Sequence, residues 1–372
     1  MTTNTAAWIN GRHARLEVGP APYTSPGTDQ IVIRNQAVAI NPLDWIIQAA
    51  GNLAYRWLRY PAVLGSDVAG EVVEVGENVT RFRVGDRVLA HAVGTDKDAN
   101  NAAEGAFQLY SVALERMACP IPDDLPVDEA AVLPLAVSTA ACGLFQTDQL
   151  GLRHPSVNAE PIDETVLVWG GSTSVGSNAI QLAAAAGYRV VTTASPHNFD
   201  YVTSLGAAQV FDYNSPTVVP DIVKALQGRT LAGALAVGTT SAAACVRIAG
   251  SCTGRRFVSM ASPAVSFAGL GHEHGRLELP RLILKIITSN VALQIRSRFQ
   301  RVATKFIFGT TLKTNDVSTA IYRDFLPGAL ADGRYVAVPK PLIVGHGVHD
   351  FQHAMDIQLK GVSAEKVVVT LS

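Results

Sequence analysis

The sequence predicts a two-domain α/β chain in which a mainly β, barrel-like part is joined to a doubly wound parallel sheet. Three observations carry that prediction. The chain has 372 residues, more than one usual domain, so two domains are expected. From Ile31 to Ile40 and from Asp67 to Val75 it is β-branched and partly alternating, with Gly, Pro and Asp between the runs, as in short strands joined by turns. From Val166 onward, short continuous apolar runs alternate with helical spacing, the pattern of a parallel sheet covered on both faces.

In the first third, Gly76-Glu77-Asn78-Val79 and Val84-Gly85-Asp86-Arg87-Val88 have the turn chemistry of hairpins, with glycine where φ is expected to be positive. A strand is expected over Arg87–His91. Ala-rich helical spacing begins near Asp128-Glu129-Ala130-Ala131 and continues through Ser138–Phe145, which marks the domain boundary. Residues 151–165 read as a polar connector. The nucleotide-type series then runs through strand Val166–Trp169, helix Ser177–Ala186, strand Tyr188–Thr193, a helix near Phe199–Leu205 and strand Gln209–Phe211. Further strands are expected over Ala234–Val237, Arg256–Ser259, Lys305–Phe308 and Tyr335–Val338. A helix near His349–Lys360 and a strand over Lys366–Leu371 close the chain, the last strand returning to the first domain. The expected division is 1–134 with 313–372 for the β-rich domain and 135–312 for the parallel sheet. No internal repeat or low-complexity tract is visible.

Apolar residues make up 48% of the chain and charged residues 16%, a composition for burial rather than disorder. The formal charge of −1 gives no field to attract nucleic acid or an anionic membrane, so the expected partner is a small molecule. The four cysteines, Cys119, Cys142, Cys245 and Cys252, form no C-x-x-C pair, so neither a disulfide framework nor a four-thiolate zinc site is indicated. The N-terminus lacks a basic region followed by an apolar one, and no run approaches the roughly 18 apolar residues of a membrane span. A cytoplasmic protein is expected.

Directly after the apolar strand stands Gly170-Gly171-Ser172-Thr173-Ser174-Val175-Gly176. Small residues there let the backbone approach a pyrophosphate, and a helix opening at Ser174–Ser177 offers unpaired N–H groups and a positive dipole end. A strict G-x-G-x-x-G would need Gly at Thr173; Ser172 and Thr173 can instead add hydroxyl donors. A tight strand–helix turn without a ligand is the alternative. The next strand ends in Thr192-Thr193-Ala194-Ser195-Pro196-His197-Asn198, where an NAD enzyme places an acid on the ribose 2′-hydroxyl. No acid stands there, so NADP is expected, although a plain helix-capping turn would use the same residues. Tyr213, after the following strand, is placed beside the adenine or packs as an ordinary strand-end residue.

These residues resemble the medium-chain dehydrogenase/reductase superfamily over nearly the whole chain. The pieces, in order, are Asn41-Pro42-Leu43-Asp44-Trp45, Leu64-Gly65-Ser66-Asp67-Val68-Ala69-Gly70-Glu71-Val72, Val84-Gly85-Asp86-Arg87-Val88, Glu104-Gly105-Ala106-Phe107-Gln108, Leu133-Pro134-Leu135, the glycine turn, and Gly361-Val362-Ser363-Ala364-Glu365-Lys366. Within it the chain looks most like the zinc-free fungal enoyl-reductase-like branch, near quinone oxidoreductases. The resemblance implies a Rossmann sheet plus a GroES-like mainly-β barrel domain. Zinc-dependent relatives carry a Cys in the early loop and a His-Glu pair after Leu-Gly, where this chain has Asn41–Asp44 and Ser66-Asp67; no metal is therefore expected. Gly271-His272-Glu273-His274-Gly275 has a metal-like look but no partner Cys, and reads as a surface loop.

The resemblance further implies that Asp44 and Trp45 touch the nicotinamide side of the cofactor and that Gly171, Ser172, Thr173, Ser174 and Val175 hold the pyrophosphate. It assigns the 2′-phosphate to Ser195, Pro196, His197 and Asn198, the adenosine to Tyr213, and other cofactor contacts to Phe308, Gly309, Val362 and Ser363. Many zinc-free relatives have Lys after the Asp-Trp pair; here Ile46 stands there, which puts turnover in question. Without a metal to polarise a carbonyl, hydride addition to an activated C=C or a quinone is the expected chemistry, with Asn41, Tyr60, Ser138 and Thr139 as candidate substrate-side groups. Asn41 and Ser138/Thr139 read equally well as turn and cap residues. The alternative is a cofactor-binding sensor or partner protein with little or no turnover. A monomer or homodimer is expected, with a biosynthetic multienzyme among its partners. A short-chain reductase is disfavoured because no Tyr is followed by Lys four positions on.

Overall fold

The computed structural model describes residues 3–371 apart from Ala54 and 268–277, with backbone alone at Asn52, Glu278 and Leu279. Gly271–Gly275 lie outside the described residues. The chain divides into two compact units, residues up to 135 with 313–372, and 136–267 with 278–312.

The first unit opens with β1 (Asn4–Ile9) and β2 (Leu16–Ala21), then β3 (Gln30–Ala39), α1 (Pro42–Ala50), β4 (Ala62–Val63), β5 (Asp67–Val75), β6 (Arg87–His91), β7 (Tyr110–Leu114), β8 (Ala118–Pro120) and α2 (Val127–Ala130). Helix α3 (Pro134–Phe145) leads into the second unit. That unit contains β9 (Glu164–Trp169), α4 (Ser174–Ala185), β10 (Arg189–Ala194), α5 (Phe199–Ser204), β11 (Ala207–Asp212), α6 (Val218–Ala225), β12 (Thr230–Ala236), α7 (Ser241–Ser251), β13 (Phe257–Met260), α8 (Glu278–Gln300) and β14 (Ala303–Phe306). The chain returns to the first unit through α9 (Asp316–Ser318), a π-helical stretch over Thr319–Phe325, α10 (Leu326–Ala331), β15 (Lys340–Gly345), α11 (Phe351–Lys360) and β16 (Glu365–Thr370).

In the second unit the strands form one parallel sheet in the order β11-β10-β9-β12-β13-β14. The order reverses between β9 and β12, so a crevice opens at the carboxyl ends of these strands. The apolar runs explain the burial: Leu167, Val191, Ala234 and Val258 on the central strands are fully covered, and Ile222 of α6 with Cys245, Val246 and Ile248 of α7 pack over them. Helix α4 begins three residues before the expected start, because Thr173 caps it by accepting from Gly176 N–H at 3.0 Å. Helix α8 is long and was not signalled by a clean period. The stretch Val127–Phe145, against the expectation from the sequence, is apolar enough by length and composition to cross a membrane, with mean hydropathy 1.4. It is 78% buried, as a core helix is.

The first unit holds a seven-stranded sheet in the order β15-β16-β3-β5-β6-β8, with β7 also on β3, and a smaller sheet β2-β1-β4. The N-terminal strands of that smaller sheet were not foreseen. No strand forms over Tyr335–Val338. Tyr335 is instead buried edge-on against Phe325, its N–H donating to Ala329 at the end of α10, and the strand begins only at Lys340. Pro339, which has no N–H to give a ladder, separates the two.

At the heart of this unit lies a buried ion pair. Lys366 Nζ on β16 sits 2.6 Å from Asp67 Oδ2 on β5, with the two side chains 3% and 0% exposed. Asn41 bridges them, donating from Nδ2 to Asp67 at 2.8 Å and accepting from Lys366 at 2.9 Å. The other Asp67 oxygen accepts from the Leu135 N–H. Stranding one buried charge costs about 3–5 kcal/mol. Lys366→Met is therefore expected to lower the urea unfolding free energy by about that amount, whereas joint replacement of Asp67 and Lys366 by Leu and Met should cost much less. Equal losses in the two variants would contradict the pairing.

Candidate functional site

The turn after β9 is built for a close approach. Gly170 adopts φ +85°, and a Cβ on Gly176 would lie 2.1 Å from the Gly170 carbonyl oxygen, so only glycine fits where the helix meets the strand. A Cβ on Gly171 would meet Thr192 Oγ1 at 2.2 Å. The Thr173 hydroxyl donates to Gly170 O at 2.7 Å and accepts from Gly176. Its hydrogen is thus spent inside the turn, which corrects its expected use as an extra phosphate donor. Ser174 behaves differently: its Oγ is buried with no hydrogen-bond partner among the described residues. The N–H groups of Ser174 and Val175 open α4 and have no acceptor within the helix. An orphaned hydroxyl beside such N–H groups at a positive dipole end suits an anion.

At the carboxyl end of β10, Ser195 Oγ donates to the Tyr213 hydroxyl at 3.0 Å, so two expected adenosine-side residues are brought together. Pro196 and His197 are exposed and Asn198 is buried. No carboxylate occupies the 195–198 turn. Beyond β14, Gly309 packs on Thr139: a Cβ there would lie 3.0 Å from Thr139 Oγ1. Phe308, half exposed, adjoins them in sequence, and Ser138 is buried. The sequence reading missed Gly238 at the end of β12, which has φ +107°, open space where a Cβ would stand, and an N–H held by Ser262 Oγ at 2.9 Å. The signal was present as a glycine immediately after an apolar strand, as at Gly170.

In the first unit the expected residues divide in two. Asn41 and Asp44 are consumed locally: Asn41 by the ion pair, and Asp44 by accepting from the N–H groups of Asn41 at 2.7 Å and Gly65 at 3.2 Å, which caps α1. Trp45 Nε1 and the Tyr60 hydroxyl are instead buried without a hydrogen-bond partner among the described residues. Val362 and Ser363 lie on the link between α11 and β16. Asp67, at the position of a metal-associated acid, is neutralised by Lys366. Among the described residues no three His, Cys, Asp or Glu side chains gather as a metal site.

Comparison with known proteins gives the same outline. Residues 27–123 match the model of the alcohol dehydrogenase GroES-like domain. The dehydrogenase pigH of Monascus ruber is 49% identical over 373 residues, covering all of both chains. The chain belongs to the medium-chain dehydrogenase/reductase family. The trans-enoyl reductase himH of Aspergillus japonicus is 38% identical, covering 99% of this chain and 98% of its own. The fold is shared with the alcohol dehydrogenase superfamily protein of Novosphingobium aromaticivorans, at TM-score 0.72 and 24% identity over all of both chains. It is shared too with the quinone oxidoreductase of Coxiella burnetii, at TM-score 0.67 and 20% identity, again over all of both chains. As a medium-chain dehydrogenase/reductase, the protein is an oxidoreductase that uses a nicotinamide cofactor.

Two buried groups near the ion pair titrate out of their ordinary ranges. Burial first, then the charge of Asp67, pushes Asp44 up to about 7 against the pull of its two N–H donors. Burial, with Lys366 adding, pushes His91 down to about 4. Asp44 therefore contributes stability in full below its ordinary value of 3.8, and that contribution is lost as pH rises through about 7. His91 contributes in full above 6.5 and loses it as pH falls through about 4. Between about 4 and 6.5 the two slopes oppose. Melting temperatures across that window should rise more steeply with pH in Asp44→Asn than in the unmodified protein, and less steeply in His91→Gln. Parallel curves for all three proteins would refute the assignment.

Proposed function

We propose that the protein uses NADPH to reduce an activated carbon–carbon double bond, of an enone or enoyl thioester, or a quinone, without a metal. The observation that carries this reading is the orphaned, buried hydroxyl of Tyr60 in a unit whose metal-type position is filled by an Asp–Lys pair. Burial raises the Tyr60 pKa, partly offset by Arg12, so the phenol stays protonated and keeps a hydrogen to donate. When bound, the nicotinamide supplies a hydride to the β-carbon of the acceptor. Charge would then develop on the carbonyl oxygen, where the Tyr60 hydroxyl would donate a hydrogen bond, and a proton from solvent would complete the product at the α-carbon. Asn41 and Asp44 act as anchors of α1 rather than as donors, and Thr139 with Phe308 and Gly309 lines the cofactor side.

Ser174 and the N–H groups that open α4 hold the pyrophosphate. Ser195 and Tyr213, with His197 alongside, receive the 2′-phosphate, which supports NADP over NAD. The name of himH, a trans-enoyl reductase, supports an enoyl acceptor. All four cysteines are free and buried, which suits a reducing, cytosolic setting.

Purified protein treated with a chelator is expected to oxidise NADPH with at least one of a panel of enones, quinones and enoyl thioesters. Tyr60→Phe should lower kcat about 100-fold or more, in line with the loss of one preorganised donor, with little change in NADPH affinity. Tight NADPH binding without turnover of any acceptor would sink the reading in favour of a sensor or partner protein, and recovery of turnover by Ile46→Lys would trace the defect to that position. Ser195→Asp sets a carboxylate against the 2′-phosphate and should weaken NADPH at least about tenfold in calorimetry while sparing NADH. Equal effects on both cofactors would count against the 2′-phosphate assignment.

A further inference from the structure

Helix α8 packs on the second unit by one narrow stripe. Leu293 and Ser297 are buried, and Leu282, Ile283, Ile286, Ser289 and Gln300 half-buried, positions that, Ile283 apart, fall together at 3.6 residues per turn. The opposite side is apolar as well. Leu284, Ile287, Val291, Ile295 and Phe299 recur at helical spacing and are 63%, 53%, 52%, 65% and 85% exposed. Among the described residues they form an unpartnered stripe running about 22 Å along the helix at 1.5 Å per residue. Solvated helices place charged residues on that side, and an exposed apolar stripe of this length marks an interaction surface.

The charges around the stripe have one sign. Arg281, Lys285, Arg296 and Arg298 are exposed on α8, and Arg301 follows its last turn. No Asp or Glu occurs between Pro280 and Phe306. In a chain of net charge −1, this is a local concentration of cations. A second copy docking by the same face would set these cations against their own kind, which disfavours a symmetric self-interface. The stripe lies on the outward side of a single helix, a convex surface suited to a planar partner. Aliphatic and aromatic side chains edged by Arg and Lys are the features of a helix lying in the headgroup layer of an anionic bilayer.

We propose that α8 docks the protein peripherally on an anionic lipid surface, with Leu284, Ile287, Val291, Ile295 and Phe299 entering the headgroup boundary and the flanking Arg and Lys pairing with lipid phosphates and carboxylates. This is independent of the hydride-transfer reading. It also departs from the net charge, which favours no membrane: the relevant quantity is local.

The test is flotation of the full chain with phosphatidylcholine vesicles, with and without phosphatidylserine. Binding is expected only with phosphatidylserine and should fall as salt rises. Each basic residue at such a surface is worth about 1 kcal/mol, about fivefold in affinity, so Arg296→Gln/Arg298→Gln should bind about 25-fold more weakly. Ile295→Ser/Phe299→Ser should also lose binding, while both variants keep the unmodified melting temperature and NADPH affinity, since these side chains face solvent. Absence of binding to phosphatidylserine vesicles at low salt would overturn the proposal, as would binding that neither variant weakens. A dimer in light scattering that Ile295→Ser/Phe299→Ser dissociates would overturn it in favour of a self-interface. Retention on immobilised polyglutamate without vesicle binding, lost in the same variants, would overturn it in favour of an acidic protein.

Discussion

One carboxylate organises the first unit. Asp67 starts β5, yet its two oxygens reach Lys366 on β16, Asn41 at the cap of α1 and the Leu135 N–H at the head of α3. Four segments far apart in the sequence thus meet at a single charge. Such a charge is tolerable in a dry interior only when it is fully paired, so the position of each segment is tied to the others. The arrangement also consumes the side chains that a metal site would need. The acid is bound to an ammonium, and the neighbouring imidazole of His91 is held neutral by burial. What remains unspent is a short set of buried donors, Tyr60 and Trp45 among them, and unspent donors in a dry interior are costly unless something else satisfies them.

The second unit applies the opposite logic at its glycine turn. Strand β9 is an apolar run buried on both faces, and the turn that follows is so tight that side chains at 171 and 176 would strike Thr192 or the Gly170 carbonyl. Thr173 satisfies the turn from within, while the Ser174 hydroxyl has no hydrogen-bond partner among the described residues. Division of labour between a capping hydroxyl and an orphaned one is a finer statement than the presence of glycines, and it explains how Thr can stand where a stricter motif has Gly.

Much of this was legible in the sequence for physical reasons. Parallel strands buried on both faces are written as apolar runs, and β9, β10 and β12 are found where such runs stand. The glycine turn was legible because glycine is demanded by contact. The Lys366 partnership was not legible: an ion pair between residues 67 and 366 depends on strand order, which no local pattern encodes. The roles of Asn41 and Thr173 went astray for a related reason, since a polar side chain beside a site looks the same in sequence whether it faces the ligand or its own backbone. Helix α8 escaped notice because it is apolar on two opposite sides, so its period is blurred. Tyr335–Val338, expected as a strand, forms none, because Tyr335 is buried against Phe325 and prolines follow.

The central claim is transfer of a hydride from NADPH to an activated carbon with no metal taking part. Reduction of an enone by chelator-treated protein, with NADPH deuterated at both C4 positions, tests it most directly by mass spectrometry and NMR of the product. One deuterium at the β-carbon, in a yield unchanged by the chelator, is the predicted result. A product without deuterium at that carbon, or a reaction that the chelator stops and zinc restores, would contradict it.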